Sequence, residues 1–197
     1  MSRTRVRVRT ATLDDVEALV SLVGEMRELG AVRGRPVTRR GADGARAHCE
    51  RLLADDRHRV VVAVDEDGTA IGAAVLGTDT VGGLLDPPSV YVSHLLVGPE
   101  HRKRGAGRAL VAAAAAYAEE LGVESVVVGV SPTGRDANRF FARLGFAPLV
   151  MRRIAPVAAL RRALASADRS ADPRAGMLPG RGGLARALPR SRLRRTG

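Results

Sequence analysis

The sequence predicts a single α/β domain whose mixed, mostly antiparallel sheet is flanked by helices. Three observations support this fold class: two apolar runs joined by a tight turn, a later strand–helix–strand–helix–strand order, and a length of 197 residues with 45% hydrophobic content. The turn makes two strands antiparallel and the helical crossover makes later strands parallel, so one sheet contains both kinds of pairing. The length suits one domain better than two.

The first quarter of the chain predicts one short strand and two helices. Residues 5–10 alternate Val with Arg, which is typical of a strand with one buried face. Thr12 is suited to cap the next helix, because Asp14 and Asp15 place negative charge in its first turn. Apolar spacing continues that helix to about residue 29. A second, weaker helix is predicted over about residues 38–54.

A hairpin and a further strand are predicted next. The hairpin strands are residues 60–64 and 70–76, and Asp65-Glu66-Asp67-Gly68 is the turn between them. A loop is expected over residues 78–88, followed by a strand over residues 90–97.

The next helix is predicted over residues 105–121, since alanine has the best helix propensity, and Gly122 is its expected C-cap. The nearly all-apolar residues 124–130 predict a strand covered on both faces. A helix over residues 135–144 that ends at Gly145 and a final strand over residues 146–154 complete the predicted domain.

The C-terminal segment carries most of the net charge of +11. Residues 152–197 contain 12 Arg and two Asp, a balance of +10, so the preceding residues are close to neutral. We expect a short helix over residues 157–166 and a basic disordered tail over residues 167–197, because that stretch has little to bury. The folded domain is accordingly predicted to span residues 1–156.

Composition excludes several classes of protein. One cysteine excludes a disulfide framework, and with four histidines no metal site is predicted. The N-terminus has no continuous apolar stretch, so we expect a cytoplasmic location and no membrane partner. The basic tail could attract nucleic acid, but 31 arginines beside the single Lys103 also fit GC-rich codon usage. Nucleic acid is therefore not the expected partner.

A basic, glycine-containing turn is the most informative stretch of the chain. It follows a predicted strand and opens a predicted helix, where backbone amides lack intrahelical acceptors and the helix dipole adds positive character. Gly105 and Gly107 would let a phosphate approach the backbone. Four cations surround them: Arg102, Lys103, Arg104 and Arg108. The turn indicates a pyrophosphate site; a glycine-softened helix start with solvated arginines is the alternative.

Two segments resemble the GCN5-related N-acetyltransferase (GNAT) family. Residues 102–107 (Arg-Lys-Arg-Gly-Ala-Gly) match the acyl-CoA loop pattern Arg/Gln-x-x-Gly-x-Gly/Ala. Residues 138–146 (Asn-Arg-Phe-Phe-Ala-Arg-Leu-Gly-Phe) are similar to the family's Asn…Phe-Tyr-x-x-Leu-Gly-Phe segment. The order of elements over about residues 5–155 also fits. The resemblance implies a GNAT-like fold whose parallel central strands splay apart.

The resemblance also implies an N-acetyltransferase that uses acetyl-CoA as co-substrate, with the amine attacking the thioester directly in a ternary complex. The amides from Lys103 to Arg108 would wrap the CoA pyrophosphate. The backbone of residues 95–97 would pair with the pantetheine arm, in a cleft between the strands at 90–97 and 126–130. The cofactor-binding residues implied in this way are Leu95, Leu96, Val97, Arg102, Lys103, Arg104, Gly105, Ala106, Gly107, Arg108, Asn138 and Phe141.

The catalytic groups depart from the family pattern. Phe141 stands where many members have a tyrosine that protonates the leaving thiolate, and phenylalanine has no proton to donate. The fourth strand lacks the family's glutamate and offers Tyr91, Ser93 and His94, of which His94 and Ser93 are the catalytic candidates. Strand alternation places His94 on the face opposite Tyr91 and Ser93 unless a bulge intervenes, so a structural histidine is the alternative.

The acceptor is expected to be the amine of a small molecule or a peptide. In the family, acceptor-side residues come from the first two helices, where Glu25 and Glu28 could attract a cationic amine or simply be solvated. The family's last strand could be absent or come from a second copy, so a homodimer is one expectation. Two rival functions stay open: a catalytically silent CoA-binding or interaction module, and a nucleic-acid-associated protein that uses its tail.

Overall fold

The computed structural model describes residues 6–28, 42–79, 87–131, 134–149, 153 and 155–171. The chain divides into two compact units, residues 1–150 and residues 151–197. The first unit contains the sheet and is described first.

A five-stranded sheet runs through the described part of the first unit. Its strands are β1 (Arg7–Thr10), β2 (His58–Val64), β3 (Ala70–Asp79), β4 (Ser89–Val97) and β5 (Val126–Val128). The strands lie in the order β1-β2-β3-β4-β5. The first three pairings are antiparallel and the pairing of β4 with β5 is parallel. The predicted mixed, mostly antiparallel sheet is confirmed.

The helices of this unit occupy the predicted places. They are α1 (Val16–Glu28), α2 (Ala42–Leu53), α3 (Ala106–Glu120) and α4 (Arg135–Arg143). A short 3-10 turn, Leu13–Asp15, precedes α1. The first residues predicted for the second helix, 38–41, lie outside the described residues.

The predicted hairpin between β2 and β3 is confirmed, and its turn shows why the sequence folds there. The Asp65 carboxylate accepts hydrogen bonds from the backbone N–H groups of Asp67 and Thr69, at 3.1 and 2.9 Å. Gly68 has a φ of +82°, which a side chain would disfavour. β3 continues to Asp79, so residues 78 and 79 of the expected loop belong to the strand, and residues 80–86 of that loop lie outside the described residues.

The face of the sheet toward α3 holds the larger part of the core. α3 buries one residue every four along a single stripe: Ala106, Leu110, Ala114 and Ala118. The small side chains of the three alanines let the helix approach the strands closely. Leu110 packs among fully buried residues such as Leu76 and Val90. The start of α3 is therefore placed by packing along its whole length.

The opposite face of the sheet is covered by α1 and α2. Val16, Leu19 and Leu22 of α1 pack with Cys49 of α2 against the sheet. Burial raises the pKa of the Cys49 thiol, which keeps it protonated and unreactive near neutral pH. This cysteine belongs to the core, as expected.

One predicted strand is shorter and less buried than expected, and the described part of another is not a strand. β5 covers Val126–Val128 of the predicted residues 124–130, and its three residues are half-buried rather than covered on both faces. The strand with both faces covered is β2, in which Val60–Val64 are all buried between the two helix layers. Residues 146–149 are not extended into a strand, and most of the remainder of the predicted final strand lies outside the described residues.

The second unit contains α5 (Val157–Ala171), which is longer than the short helix expected. Residues 167–171 were expected to be disordered and are instead helical, because Ala and Arg after Ser166 continue the helix without a breaker. The rest of the expected tail, residues 172–197, lies outside the described residues. None of the helices in the described ranges has the length and apolarity needed to cross a membrane.

The C-terminal end of α3 is attached to β2 by one arginine. Arg59 donates to the Glu120 carboxylate at 2.6 Å, and its guanidinium lies 4.1 Å from the ring centroid of Tyr117. An ion pair and a cation–π contact thus converge on the last turn of the helix.

A second charged contact fixes the start of α1 to β1. The two terminal nitrogens of the Arg9 guanidinium, Nη1 and Nη2, each donate to the Asp15 carboxylate at 2.7 Å. The Thr12 N–H donates to the same carboxylate at 2.8 Å. The bond to Arg9 lowers the pKa of Asp15 more than burial raises it. The Asp15 carboxylate thus accepts a backbone N–H at the start of the helix and also binds Arg9 of β1.

We predict that Asp15→Asn lowers the free energy of unfolding by about 1–3 kcal/mol at neutral pH, because a buried carboxylate loses its charge-assisted bonds. The folded-state pKa of Asp15 lies below its ordinary value, so its stabilising contribution is complete above about pH 4 and disappears as the pH falls through the lowered value. The difference between wild type and variant should therefore shrink on acidification. Urea unfolding at several pH values measures it.

The control is Asp14→Asn, an exposed carboxylate in the same turn. It should change stability by no more than about 0.5 kcal/mol. Equal urea midpoints for the two variants at neutral pH would contradict the role assigned to Asp15.

Candidate functional site

The parallel strands form a fork. β4 pairs with β3 along its length as far as Val97, but its pairing with β5 covers only Val90–Val92. Beyond Val92 the described structure pairs β4 with β3 alone, so the other edge of the strand carries backbone N–H and C=O groups without a β5 partner. Among the described residues no second strand pairs with these groups, so water or a ligand can bond to them. The splayed parallel strands expected from the sequence are confirmed.

A bulge in β4 lies at the start of the fork. Val92 pairs with Leu76 and His94 pairs with Val75, so Ser93 is the extra residue. Because of this extra residue, Val92 and Leu95 both pack toward α3 although they are three positions apart.

The bulge corrects the expected position of His94. Simple alternation placed this residue opposite Tyr91, but the extra residue brings His94 to the face that carries Tyr91. The His94 side chain is exposed, and its Nδ1 lies 3.1 Å from the Ser93 hydroxyl. The two predicted catalytic candidates are therefore in contact at the fork, and His94 is not a buried structural histidine.

The loop after β4 has a left-handed backbone. Gly98 continues the ladder, since its N–H donates to the Ile71 carbonyl at 3.0 Å. A 3-10 turn, Pro99–His101, then leads to Lys103, which has a φ of +62°, and to Gly105, which has a φ of +99°. Lys103 is the one non-glycine residue with positive φ in the described ranges. Strain of this kind concentrates at functional sites.

The start of α3 offers an anion site. The first hydrogen bond of the helix runs from the Ala109 N–H to the Gly105 carbonyl, so helix geometry leaves the amides of Ala106, Gly107 and Arg108 without intrahelical acceptors. The four cations predicted around the loop, Arg102, Lys103, Arg104 and Arg108, have exposed side chains. Ala106 contributes its backbone only, because its side chain is buried in the core.

The two predicted site residues of α4 have structural contacts. Phe141 is buried, and its ring meets those of Phe140 and Phe146 edge to face, with centroids 5.0 and 5.3 Å away. The Asn138 amide donates to the carbonyls of Ser131 and Gly134, both at 2.9 Å, and so holds the loop before α4. The cofactor contacts expected of Phe141 and Asn138 remain predictions.

The neighbour of the α3 start is Phe140. A Cβ added at Gly107 would lie 3.4 Å from the Phe140 ring, so the glycine lets α4 approach the first turn of α3. Phe140 and Phe141 are adjacent in sequence. Because neighbouring residues of a helix point in different directions, the Phe141 ring faces the core and the Phe140 ring faces the start of α3.

The end of α1 lies against the loop. A Cβ added at Gly98 would be 3.4 Å from the Glu25 carboxylate, and Arg102 donates to the Met26 sulfur at 3.5 Å. The predicted acceptor-side helix and the anion loop are thus neighbours. The side chain of Glu28, the other predicted acidic candidate, lies outside the described residues.

A close approach between Tyr91 and Gly129 was missed by the sequence analysis. A Cβ added at Gly129 would lie only 2.7 Å from the Tyr91 hydroxyl oxygen. The signal was present, because a lone glycine inside the apolar run 124–130 is typical of a close approach by another group.

Comparison with known families places these features in context. The family model described as the acetyltransferase (GNAT) family matches residues 29–146. No curated protein matches the sequence significantly.

Solved structures resemble the fold. Aminoglycoside N-acetyltransferase AAC(6')-Iy in complex with CoA has a TM-score of 0.64 and 21% identity, covering 78% of this chain and 95% of that chain. Aminoglycoside 6'-N-acetyltransferase AAC(6')-Ih from Acinetobacter baumannii has a TM-score of 0.61 and 15% identity, covering 78% and 99%. A transcriptional regulator from Bacillus halodurans C-125 has a TM-score of 0.62 and 22% identity, covering 77% and 99%. At these identities the likeness establishes the fold and not the substrate.

The geometry of β4 yields a test at Gly72 of β3. A Cβ there would lie 2.8 Å from the Leu96 carbonyl oxygen, which is backbone and must be displaced. We predict that Gly72→Ala lowers the free energy of unfolding by about 1–3 kcal/mol and shifts the amide NMR signals of Leu96 and Val97.

Gly77→Ala in the same strand is the matched control. Its added Cβ would meet the Arg57 carbonyl oxygen and the His58 ring at 3.4 Å, an ordinary contact. Equal loss of stability in the two variants, with β4 amide signals unchanged by Gly72→Ala, would show that β4 is not held this closely.

Proposed function

The chain belongs to the GNAT acetyltransferase family, as its two sequence segments predicted, and on this premise we propose that it transfers an acetyl group from acetyl-CoA to a primary amine. The observation that carries the proposal is an open β-strand edge that leads directly into an anion loop. Acetyl-CoA has a part for each: an amide-bearing arm that can bond to the strand edge, and a pyrophosphate for the loop.

We assign the pyrophosphate to the first turn of α3. The amides of Ala106, Gly107 and Arg108 point out of the helix start, and the dipole of a 15-residue helix adds to them. The side chains of Arg102, Lys103, Arg104 and Arg108 supply the opposite charge. The arm of the co-substrate is assigned to the backbone of residues 95–97, on the β4 edge beyond the last β5 pairing.

We assign proton removal from the acceptor to His94. Its exposed ring stands at the start of the fork, and the Ser93 hydroxyl at 3.1 Å orients it through Nδ1. The neutral amine nitrogen then attacks the thioester carbon, a C–N bond forms, and the C–S bond breaks so that its electron pair stays on sulfur. Once His94 has passed the first proton to solvent, it takes the second proton, which the nitrogen loses as the amide forms, and the sulfur takes up a proton to become the thiol. Cys49 takes no part, because it is buried on α2.

Small polycationic amines are the acceptor class we propose. The Glu25 carboxylate lies beside the loop on the acceptor-side helix, where it can attract an ammonium group. Structural neighbours include aminoglycoside N-acetyltransferases, so aminoglycosides and linear polyamines are the first acceptors to test. We further propose that residues 1–156 carry this activity, in the cytoplasm.

A silent CoA-binding module is the second candidate, and one observation favours it. The position where many family members have a proton-donating tyrosine holds Phe141, whose ring is buried among other aromatic rings. Assays of CoA thiol release with a panel of amines distinguish the two functions. Amine-dependent thiol release supports the transferase, and saturable CoA binding without release supports the silent module.

We predict that Gly105→Ala weakens acetyl-CoA binding by about five- to thirty-fold. A side chain at a φ of +99° disfavours the left-handed conformation by about 1–2 kcal/mol, and ligand binding must restore that conformation. The space around Gly105 is open, so no clash contributes to the effect. Calorimetric titration of the full chain measures the affinity.

Gly68→Ala provides the matched control in the β2–β3 turn. This position has a φ of +82° and equally open surroundings, so the backbone strain is similar. It should reduce thermal stability and leave acetyl-CoA affinity unchanged. Similar affinities for the two variants, or no saturable binding by the wild type, would reject the loop assignment.

A further inference from the structure

We propose that the Tyr91 hydroxyl is the catalytic proton donor to the sulfur leaving group. The inference rests on the proposed acetyl transfer and adds a residue that the family pattern does not place on this strand. It answers the difficulty raised by Phe141, since the described part of α4 presents a hydrocarbon ring where a donor was expected.

The position of the hydroxyl is the first argument. Tyr91 pairs with Val127 in the middle of the three parallel rungs, yet its side chain extends to Gly129, one residue past the end of β5. A Cβ at Gly129 would be 2.7 Å from the hydroxyl oxygen, 3.6 Å from the ring carbon that bears it and 4.0 Å from the next ring carbon. The ring therefore meets Gly129 with its hydroxyl end, at the place where the strands part.

The glycine is the second argument. Residues 126, 127, 128 and 130 are all valine, and the interruption falls at the one position where the phenol oxygen needs space. Gly129 has no positive φ that would itself require glycine. Close approach of the tyrosine explains this glycine better than a turn does.

The bulge is the third argument. By inserting Ser93, it places the exposed His94 ring on the face of β4 that carries Tyr91. A base and a phenol then stand on one face at the start of the fork, as the two proton transfers of the reaction require. The Ser93 hydroxyl already lies against the His94 ring and the Val75 carbonyl, at 3.1 and 3.4 Å. A phenol is also a much stronger acid than an aliphatic hydroxyl.

In the proposed step one proton reaches the sulfur and another leaves the acceptor nitrogen. The C–N bond forms as the C–S bond breaks, and the sulfur takes the proton of the Tyr91 hydroxyl. The proton that the acceptor nitrogen loses passes through His94 and restores the phenol. One amine and one thioester are consumed, and one amide and one thiol are formed.

The ionisation of the thiol of bound CoA reports on a proton donor beside the sulfur, so this experiment needs no acceptor. CoA is titrated into the wild type and into Tyr91→Phe, and thiolate formation is followed by ultraviolet absorbance as the pH is raised. A phenol that donates to sulfur stabilises the thiolate, so the pKa of the bound thiol should be lower in the wild type by about one unit, a tenfold difference in the ionisation constant. Tyr117→Phe, at the other tyrosine of the chain, should match the wild type.

Gly129→Ala is the second variant, and it retains both tyrosines. The added methyl group displaces the hydroxyl, so the pKa of the bound thiol should rise toward that of Tyr91→Phe. With an active acceptor, Tyr91→Phe should lower kcat about 10²-fold at unchanged KM. Thioesters of more acidic thiols should reduce that loss, which a purely structural role would not do.

The outcomes separate the two proposals. If CoA binds both proteins and the thiol ionises identically in wild type, Tyr91→Phe and Gly129→Ala, the role of Tyr91 is rejected while the proposed function stands. If the folded wild type does not bind CoA, the proposed function fails and this inference fails with it.

Discussion

The structure depends on how the backbone of β4 satisfies its hydrogen bonds. One edge of the strand is paired with β3 from Ser89 to Val97 apart from the bulge at Ser93, whereas the described pairing of the other edge with β5 covers three residues only. Backbone polar groups need hydrogen-bond partners, and beyond Val92 this edge has no strand partner among the described residues, so it is open to water or to a ligand. The loop after β4, the bulge at Ser93 and the end of β5 all lie close to the place where the β3–β4 ladder continues without β5.

The sequence predicted the features that local chemistry determines. The alanine-rich α3, the glycine-containing start of that helix and the hairpin turn at Gly68 each depend on residues within a few positions of one another. The two family segments, at the start of α3 and on α4, are also short and local. They identified the family, and the family indicated the correct fold class.

The features that were missed depend on distant partners. The bulge at Ser93 exists only in the register of β4 against β3, and alternation along one strand cannot reveal it. The contact between Tyr91 and Gly129 joins residues 38 positions apart, and the shortness of β5 depends on where its neighbour diverges. The apolar run at residues 124–130 therefore predicted burial on both faces for a strand whose three residues are only half-buried.

The contact of Arg59 with the last turn of α3 holds one end of this helix, so a small tilt about that end produces a large displacement at the other end. At 1.5 Å per residue, its 15 residues span about 22 Å between the clamp at Tyr117 and Glu120 and the loop at the other end. A tilt of about 5° about the clamped end would move the helix start by about 2 Å, which is enough to break every hydrogen bond made there. The direction of the amides at Gly107 is thus set by the buried stripe along α3 and, at the other end of the helix, by the contacts of Arg59 with Tyr117 and Glu120.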